Sequence, residues 1–241
     1  MKKIFKKDRY QKENRFMSEG KLTVENNNDM IQANQESDEE KEFKSFFNEV
    51  LKRLPRKISA KVIVAFDKSK VQAEKIIANS KVQYENIFDE FLEGVDQGVR
   101  KKCYSIIHAA TLTAAIIGCS PIPFSDAFLL VPVQLTMMGR LHKTFGQSWS
   151  ENLGSAVSKE LILVGLGRSV VGNLLKLVPG VGTVAGAAVN GVVSSTITGA
   201  LGWVTVKMLN DGEDIFENVM SFKGQFSTLF KMLQDSNKSK K

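Results

Sequence analysis

Lys143-Thr144 is the dipeptide with which a phosphate-binding loop reaches a nucleotide's phosphates and its metal ion. Such a loop needs glycines ahead of the lysine so that backbone N–H groups can cradle the phosphates, and here Arg140-Leu141-His142 stand in that place. Gly165-Leu166-Gly167 and Gly180-Val181-Gly182 each supply two glycines of a dinucleotide fingerprint. The next ones, Gly172 and Gly186, come too late, and no strand pattern precedes either pair. His108 and His142 stand apart, outside any His-Glu-x-x-His or Cys-x-x-Cys setting, and His108 reads as a core imidazole. Cys103 and Cys119 read as reduced core thiols, and Gly-x-Ser-x-Gly does not occur. No residue is assigned a catalytic, cofactor-binding or metal-binding role, and the chain reads as non-enzymatic.

Two charged features point to binding. Asp126 is the one formal charge between Cys103 and Gly139, and a lone carboxylate among apolar residues must be capped or paired. Either Ser125 or Asp126 caps the helix after Pro123, or the carboxylate meets a partner's cation or serves as a switch. The second feature is a basic block, Lys52-Arg53, Arg56-Lys57 and Lys61, continued by Lys68, Lys70, Lys75 and Lys81 and interleaved with apolar residues. It reads as a solvated face or as an amphipathic helix lying on an anionic membrane surface. Nucleic acid is disfavoured, because no readout motif or stacking set accompanies the charge.

The elements that must position these residues are helical. Charge is unevenly placed: eight bases face three acids over residues 1–21, two face eight over 22–49, and nine face two over 52–82, within a net charge of +7. Residues 1–42 hold too few apolar residues to offset ordering entropy, so a disordered tail is expected. Met1-Lys2-Lys3 is basic, but no apolar run follows, so the opening is not read as a signal peptide. Phe43, Phe46, Phe47, Val50, Leu51 and Leu54 follow helical spacing up to Pro55. Val62, Phe66, Ala73, Ile77, Ser80, Tyr84, Ile87, Phe91 and Val95 mark one face of a long helix. Ser120-Pro121-Ile122-Pro123 splits the apolar block Cys103–Gly139 into halves of about sixteen residues, each roughly 24 Å as a helix and short of a bilayer. That block reads as a buried or shallow re-entrant hairpin. Gly146 is a helix stop and Ser148-Trp149-Ser150-Glu151 a capping-box start. Helices follow over about Trp149–Leu175, Thr183–Met208 and Glu213–Leu233, the last with Phe216, Val219, Met220, Phe226, Leu229, Phe230 and Leu233 on one side.

Leu177 to Val206 is thirty residues without a charge, and nine glycines fall between Gly165 and Gly202. Glycine costs about 1 kcal/mol against alanine inside a helix, so this density needs a packing reason. Gly182, Gly186, Ala187, Gly191, Ser195 and Gly199 supply one as a small-residue ladder that lets two helix backbones approach. From Thr183 to Val206 the helix would also be about 36 Å long, enough to cross a bilayer. Tight packing in a helical core and membrane insertion both stay open.

The run Ser120-Pro121-Ile122-Pro123-Phe124-Ser125-Asp126-Ala127, then Leu130-Val131-Pro132-Val133-Gln134, with Met137 and Gly146 beyond, resembles a known family. Leu177-Val178-Pro179-Gly180-Val181-Gly182 is similar to that family's second glycine-rich segment. The family is the domain of unknown function 697, the YcjF-like domain found fused to, or encoded near, Era-like GTPase domains, and the resemblance covers about residues 100–208. It implies a helical, often membrane-associated module that accompanies a GTPase. No G-domain motif is present, so the GTPase would act in trans, and Pro121, Pro123, Asp126, Gln134, Pro179 and Gly180 are motif positions without an implied role.

The expected architecture is all-α, a helical bundle with a long amphipathic helix and two apolar, Pro/Gly-punctuated hairpins. Its expected parts are a tail (1–42), an amphipathic helical region (43–98), the GTPase-associated-like domain (99–210), and a C-terminal amphipathic helix with a basic tail (211–241). The expected function is a cytoplasmic, membrane-associated module, peripheral or partly inserted at the inner face, partnering a GTPase or a like module and open to homo-oligomer formation. A pore-forming, toxin-like effector and a soluble helical scaffold are the alternatives.

Overall fold

The computed structural model describes residues 38–121, 129–149 and 186–238, and among these every regular element is helical. The expected tail up to residue 37, the Ser125/Asp126 cap, the helix over Trp149–Leu175 and the Pro179-Gly180 break lie outside the described residues. Two compact units are distinguished, Met1–Lys41 and Glu42–Lys241. The expected divisions from residue 43 onward all fall in the second unit.

Helix α1 covers residues 38–53 and ends just before Pro55, which has no N–H to continue it. Phe43, Phe46, Phe47, Val50 and Leu54 are buried, as one face of a 3.6-residue repeat requires. Arg56–Val64 forms α2, and a turn at Ala65 separates it from the long α3, Phe66–Phe91. Helix α4, Gln97–Cys119, starts on Asp96, whose side chain accepts the Val99 N–H at 3.1 Å. It is 23 residues long, about 35 Å, and not the sixteen-residue half expected. The uncharged run begins at Cys103, but Arg100, Lys101 and Lys102 sit comfortably in the first turns of the same helix. Arg100 joins α4 back to the end of α3, donating to the Leu92 and Val95 carbonyls and to Asp89.

Pro132 lies in the first turn of α5, Val131–Thr144, where its missing N–H leaves nothing unsatisfied. Gly146 ends that helix at φ 70°, with Gln147 N–H reaching the His142 carbonyl at 2.9 Å and Gly146 N–H reaching Lys143 at 3.1 Å. The same double closure recurs after α6, Gly186–Asn210, with Gly212 at φ 75° and Glu213 N–H on the Met208 carbonyl at 2.9 Å. The last helix, α7, is Val219–Lys238 and starts later than expected. Asp214 first holds a turn, its carboxylate accepting the Phe216 N–H at 2.7 Å. The helix then buries Phe222, Phe226, Leu229, Phe230 and Leu233, and that phase leaves Met220 77% exposed rather than on the packed side.

Within Glu42–Lys241, α4 and α6 form the most extensive interface, and α3, α5 and α7 pack around them. Helix α6 has no polar face, and its residues 197–206 are all buried. Helix α1 is fastened to α5 by Arg140. Its guanidinium donates to Glu42 at 2.6 Å, to Glu49 at 2.7 Å and to Ser45 at 3.2 Å, and lies 5.1 Å from the Phe46 ring centre. Burial raises the Glu49 carboxyl, but hydrogen bonds and charge from Arg140, then Arg53, outweigh it and hold the group below its ordinary 4.5. On the other side of α5, His142 is buried against Trp149 and Phe216, with ring centres 4.7 and 6.0 Å away. Its Nδ1–H donates to the Met138 carbonyl at 2.8 Å. Burial lowers its pKa below 6.5, only partly countered by that carbonyl and by Asp214.

Both groups have a folded pKa below the unfolded one, so their stabilisation is present above the unfolded value and lost as pH falls. The His142 part is lost as pH falls below about 6.5, and the Glu49 part below about 4.5. His142→Phe is expected to flatten the first step of a urea-unfolding pH series. Arg140→Met is expected to lower neutral-pH stability by about 1 kcal/mol and to flatten the second.

Candidate functional site

Two regions answer to the sequence candidates. The first is the seam between α4 and α6, which run antiparallel with Gly118 opposite Gly191, Thr111 opposite Gly199 and Ile107 opposite Gly202. A Cβ on Gly118 would lie 2.7 Å from the Asn190 carbonyl oxygen and 2.9 Å from the Gly191 Cα, which is backbone against backbone. A Cβ on Gly191 would strike the Cys119 sulfur, and one on Gly199 would sit 3.2 Å from the Thr111 methyl. Ser195, between them on the ladder, is buried and donates to the Val192 carbonyl of its own helix at 3.0 Å. Gly186 and Ala187 belong to the first turn of α6, and Gly182 lies outside the described residues. Sequence reasoning did not single out Gly118 or Gly202. A Cβ on Gly202 would fall 2.8 Å from Ile107 and 3.0 Å from the Met137 sulfur, which brings α5 into the same seam.

By length and composition both α4 and the Val189–Asn210 part of α6 could cross a bilayer, each with a mean hydropathy of 1.3. Of those windows 72% and 78% are already buried within the protein. Hydroxyls in this interior mostly turn onto their own helix. Thr113 donates to Ala109 at 2.7 Å, Thr205 to Leu201 at 2.8 Å and Ser120 to Ile116 at 2.7 Å. Gln134 is different: it is 1% exposed, and neither atom of its amide has a hydrogen-bond partner among the described residues. Pro121 is exposed just past the end of α4, while Pro123, Asp126, Pro179 and Gly180 lie outside the described residues. Burial pushes the Cys103 and Cys119 thiols up to about 11, so neither is a thiolate at neutral pH. Among the described residues no cluster of His, Cys, Asp or Glu is placed to hold a metal ion.

The second region is the corner made by the end of α1 and by α2. Lys52, Arg53, Arg56, Lys57 and Lys61 are all exposed there. Arg53 is paired with Glu49 at 3.1 Å, whereas Lys52, Arg56, Lys57 and Lys61 make no ion pair among the described residues. Ile63 and Val64, missed from the sequence, are 57% and 89% exposed at the end of α2. Val64 follows Lys61 by three residues, Ala60 by four and Lys57 by seven, so it shares their outward face while Val62 faces the core. An exposed apolar tip that shares the face of Lys57 and Lys61 results.

The seam generates a paired test. Gly118→Ala should destabilise the protein by about 1–3 kcal/mol, since the atoms it meets are backbone and cannot swing aside. Gly224→Ala, on an open stretch of α7 with nothing within 4 Å, should stabilise it by about 0.5–1 kcal/mol. Urea unfolding of the two variants beside the parent measures both.

Magnetosome membrane protein 22 of Magnetospirillum gryphiswaldense is 34% identical over 116 residues, which make up 46% of this chain. The match spans 60% of that relative's length. No solved structure matches. Residues 82–234 match the family described as a domain of unknown function (DUF697), wider on both sides than the motif positions alone had indicated. They take in the end of α3, the whole α4–α6 seam and most of α7, and the chain belongs to that family.

Proposed function

We propose that this protein is a non-catalytic helical module that settles on the anionic, cytoplasmic face of a membrane and works there with a protein on a separate chain, a GTPase or a further copy of itself. The observation that carries the membrane part is the α2 corner, where Ile63 and Val64 stand exposed among the cations Lys52, Arg56, Lys57 and Lys61. Each lysine or arginine near an anionic leaflet contributes about 1 kcal/mol, and a buried valine or isoleucine roughly 1.5–3 kcal/mol. Together these suffice for reversible, salt-sensitive attachment without unpacking α4 and α6. The name of the relative, a membrane protein, supports the same reading. The GTPase partner rests on the company that the family keeps.

Sedimentation with vesicles tests this. The full chain should pellet with phosphatidylserine-containing vesicles, not with pure phosphatidylcholine, and should come off in high salt. Lys57→Glu combined with Lys61→Glu should weaken binding by about tenfold or more, and Val64→Asp should weaken it at unchanged net lysine content. Protein that stays in the supernatant at low salt would leave the soluble scaffold as the better reading.

The length and apolarity of α4 and α6 favour a second reading, a pore-forming effector whose helical pair leaves its cover and inserts. Release of a trapped dye from the same vesicles is expected only in that case.

A further inference from the structure

We infer that the cleft between α3, α4 and α6 is a binding site for a single-chain anionic amphiphile of the fatty-acid class. The cleft is separate from the α2 corner, has a volume of about 310 Å³ and is lined mainly by carbon. Ile77, Ile107 and Gly199 line it together with the rings of Phe88, Tyr104 and Trp203. Those rings lean on one another, with centroids 5.9 Å apart for Phe88–Trp203 and 6.5 Å for Tyr104–Trp203.

Two of the polar side chains that line the cleft, Thr111 and Ser195, are committed to their own helices. Thr111 donates to the His108 carbonyl at 2.9 Å and Ser195 to the Val192 carbonyl at 3.0 Å, so both offer carbon to an occupant. A peptide would leave its own N–H and C=O groups unpaired against such walls, whereas an alkyl chain has none to satisfy. The volume is at the low end for ligand pockets and suits one chain rather than two.

The mouth supplies the headgroup chemistry. Asp89, Arg100 and Lys101 line it. Arg100 holds Asp89 at 3.2 Å and two carbonyls of the α3–α4 turn, so these two charges cancel locally. Lys101 is exposed and makes no ion pair among the described residues, which leaves one positive charge at the rim. An apolar slot with a single ammonium at its lip is complementary to a carboxylate at the end of a hydrocarbon chain.

Calorimetric titration of the full chain with laurate, kept below micelle formation and without vesicles, tests this independently of membrane docking. Saturable one-to-one binding is expected. Lys101→Glu, a change at an exposed residue, should weaken it by about tenfold, and dodecyltrimethylammonium should not compete. Thr196→Phe, which projects a ring into the cleft, should abolish it in protein whose melting is otherwise retained. Absence of saturable heat, equal affinity for the ammonium amphiphile, or laurate binding unchanged by Lys101→Glu would each overturn the assignment.

Discussion

Backbone meets backbone where α4 crosses α6 at Gly118 and Gly191, and the other packing follows from that approach. No side chain stands between the two helices at that point, so many weak dispersion contacts form along both. A side chain on Gly118 would meet the α6 backbone and push the pair apart there, while Gly202 admits Ile107 and the Met137 sulfur further along. Helix α6, with no polar face of its own, needs cover along most of its length, and α3, α4, α5 and α7 provide it. Arg140 adds α1 to the outside of α5 through two carboxylates, and this outer fastening is acid-sensitive where the apolar seam is not.

The same seam explains how two helices of membrane-spanning length reside in a protein interior. In water, close packing is reinforced by the hydrophobic effect; in lipid it relies on small residues and dispersion alone. Glycine, serine and threonine serve both settings, because Ser120, Thr113, Ser195 and Thr205 satisfy their hydroxyls on their own helices. The proposed surface attachment by α2 would ask nothing of that core. Gln134, Thr136 and Thr198 are the exceptions inside it, buried polar groups without a partner among the described residues, each a local cost of about 1–3 kcal/mol.

Much of the fold was legible because its punctuation is local. Pro55 ends α1, Gly146 closes α5, and the phenylalanines of α1 name its buried face without reference to any other helix. The spacing of Gly191 and Gly199 could be read from α6 alone for a similar reason, and both meet α4 closely. Their counterpart on α4 could not, because only the three-dimensional register makes Gly118 a partner. Arg140 was hidden for the same cause, its acids lying 91 and 98 residues away. Counting α4 only from its first uncharged residue made it too short, since lysine and arginine are tolerated in an exposed first turn. Nothing in the residue types of Ile63 and Val64 marks them as exposed; the phase of α2, set by Val62 facing inward, places them outside.

Hydrogen exchange of the full chain, free and bound to phosphatidylserine vesicles, measures the central claim directly. The account predicts that the amides of α4 and α6 exchange slowest in the free protein and stay equally slow on the vesicle, with new protection confined to α2 and the residues beside it. Faster or redistributed exchange along α4 and α6 on binding would show that the seam opens at the membrane, and would contradict it.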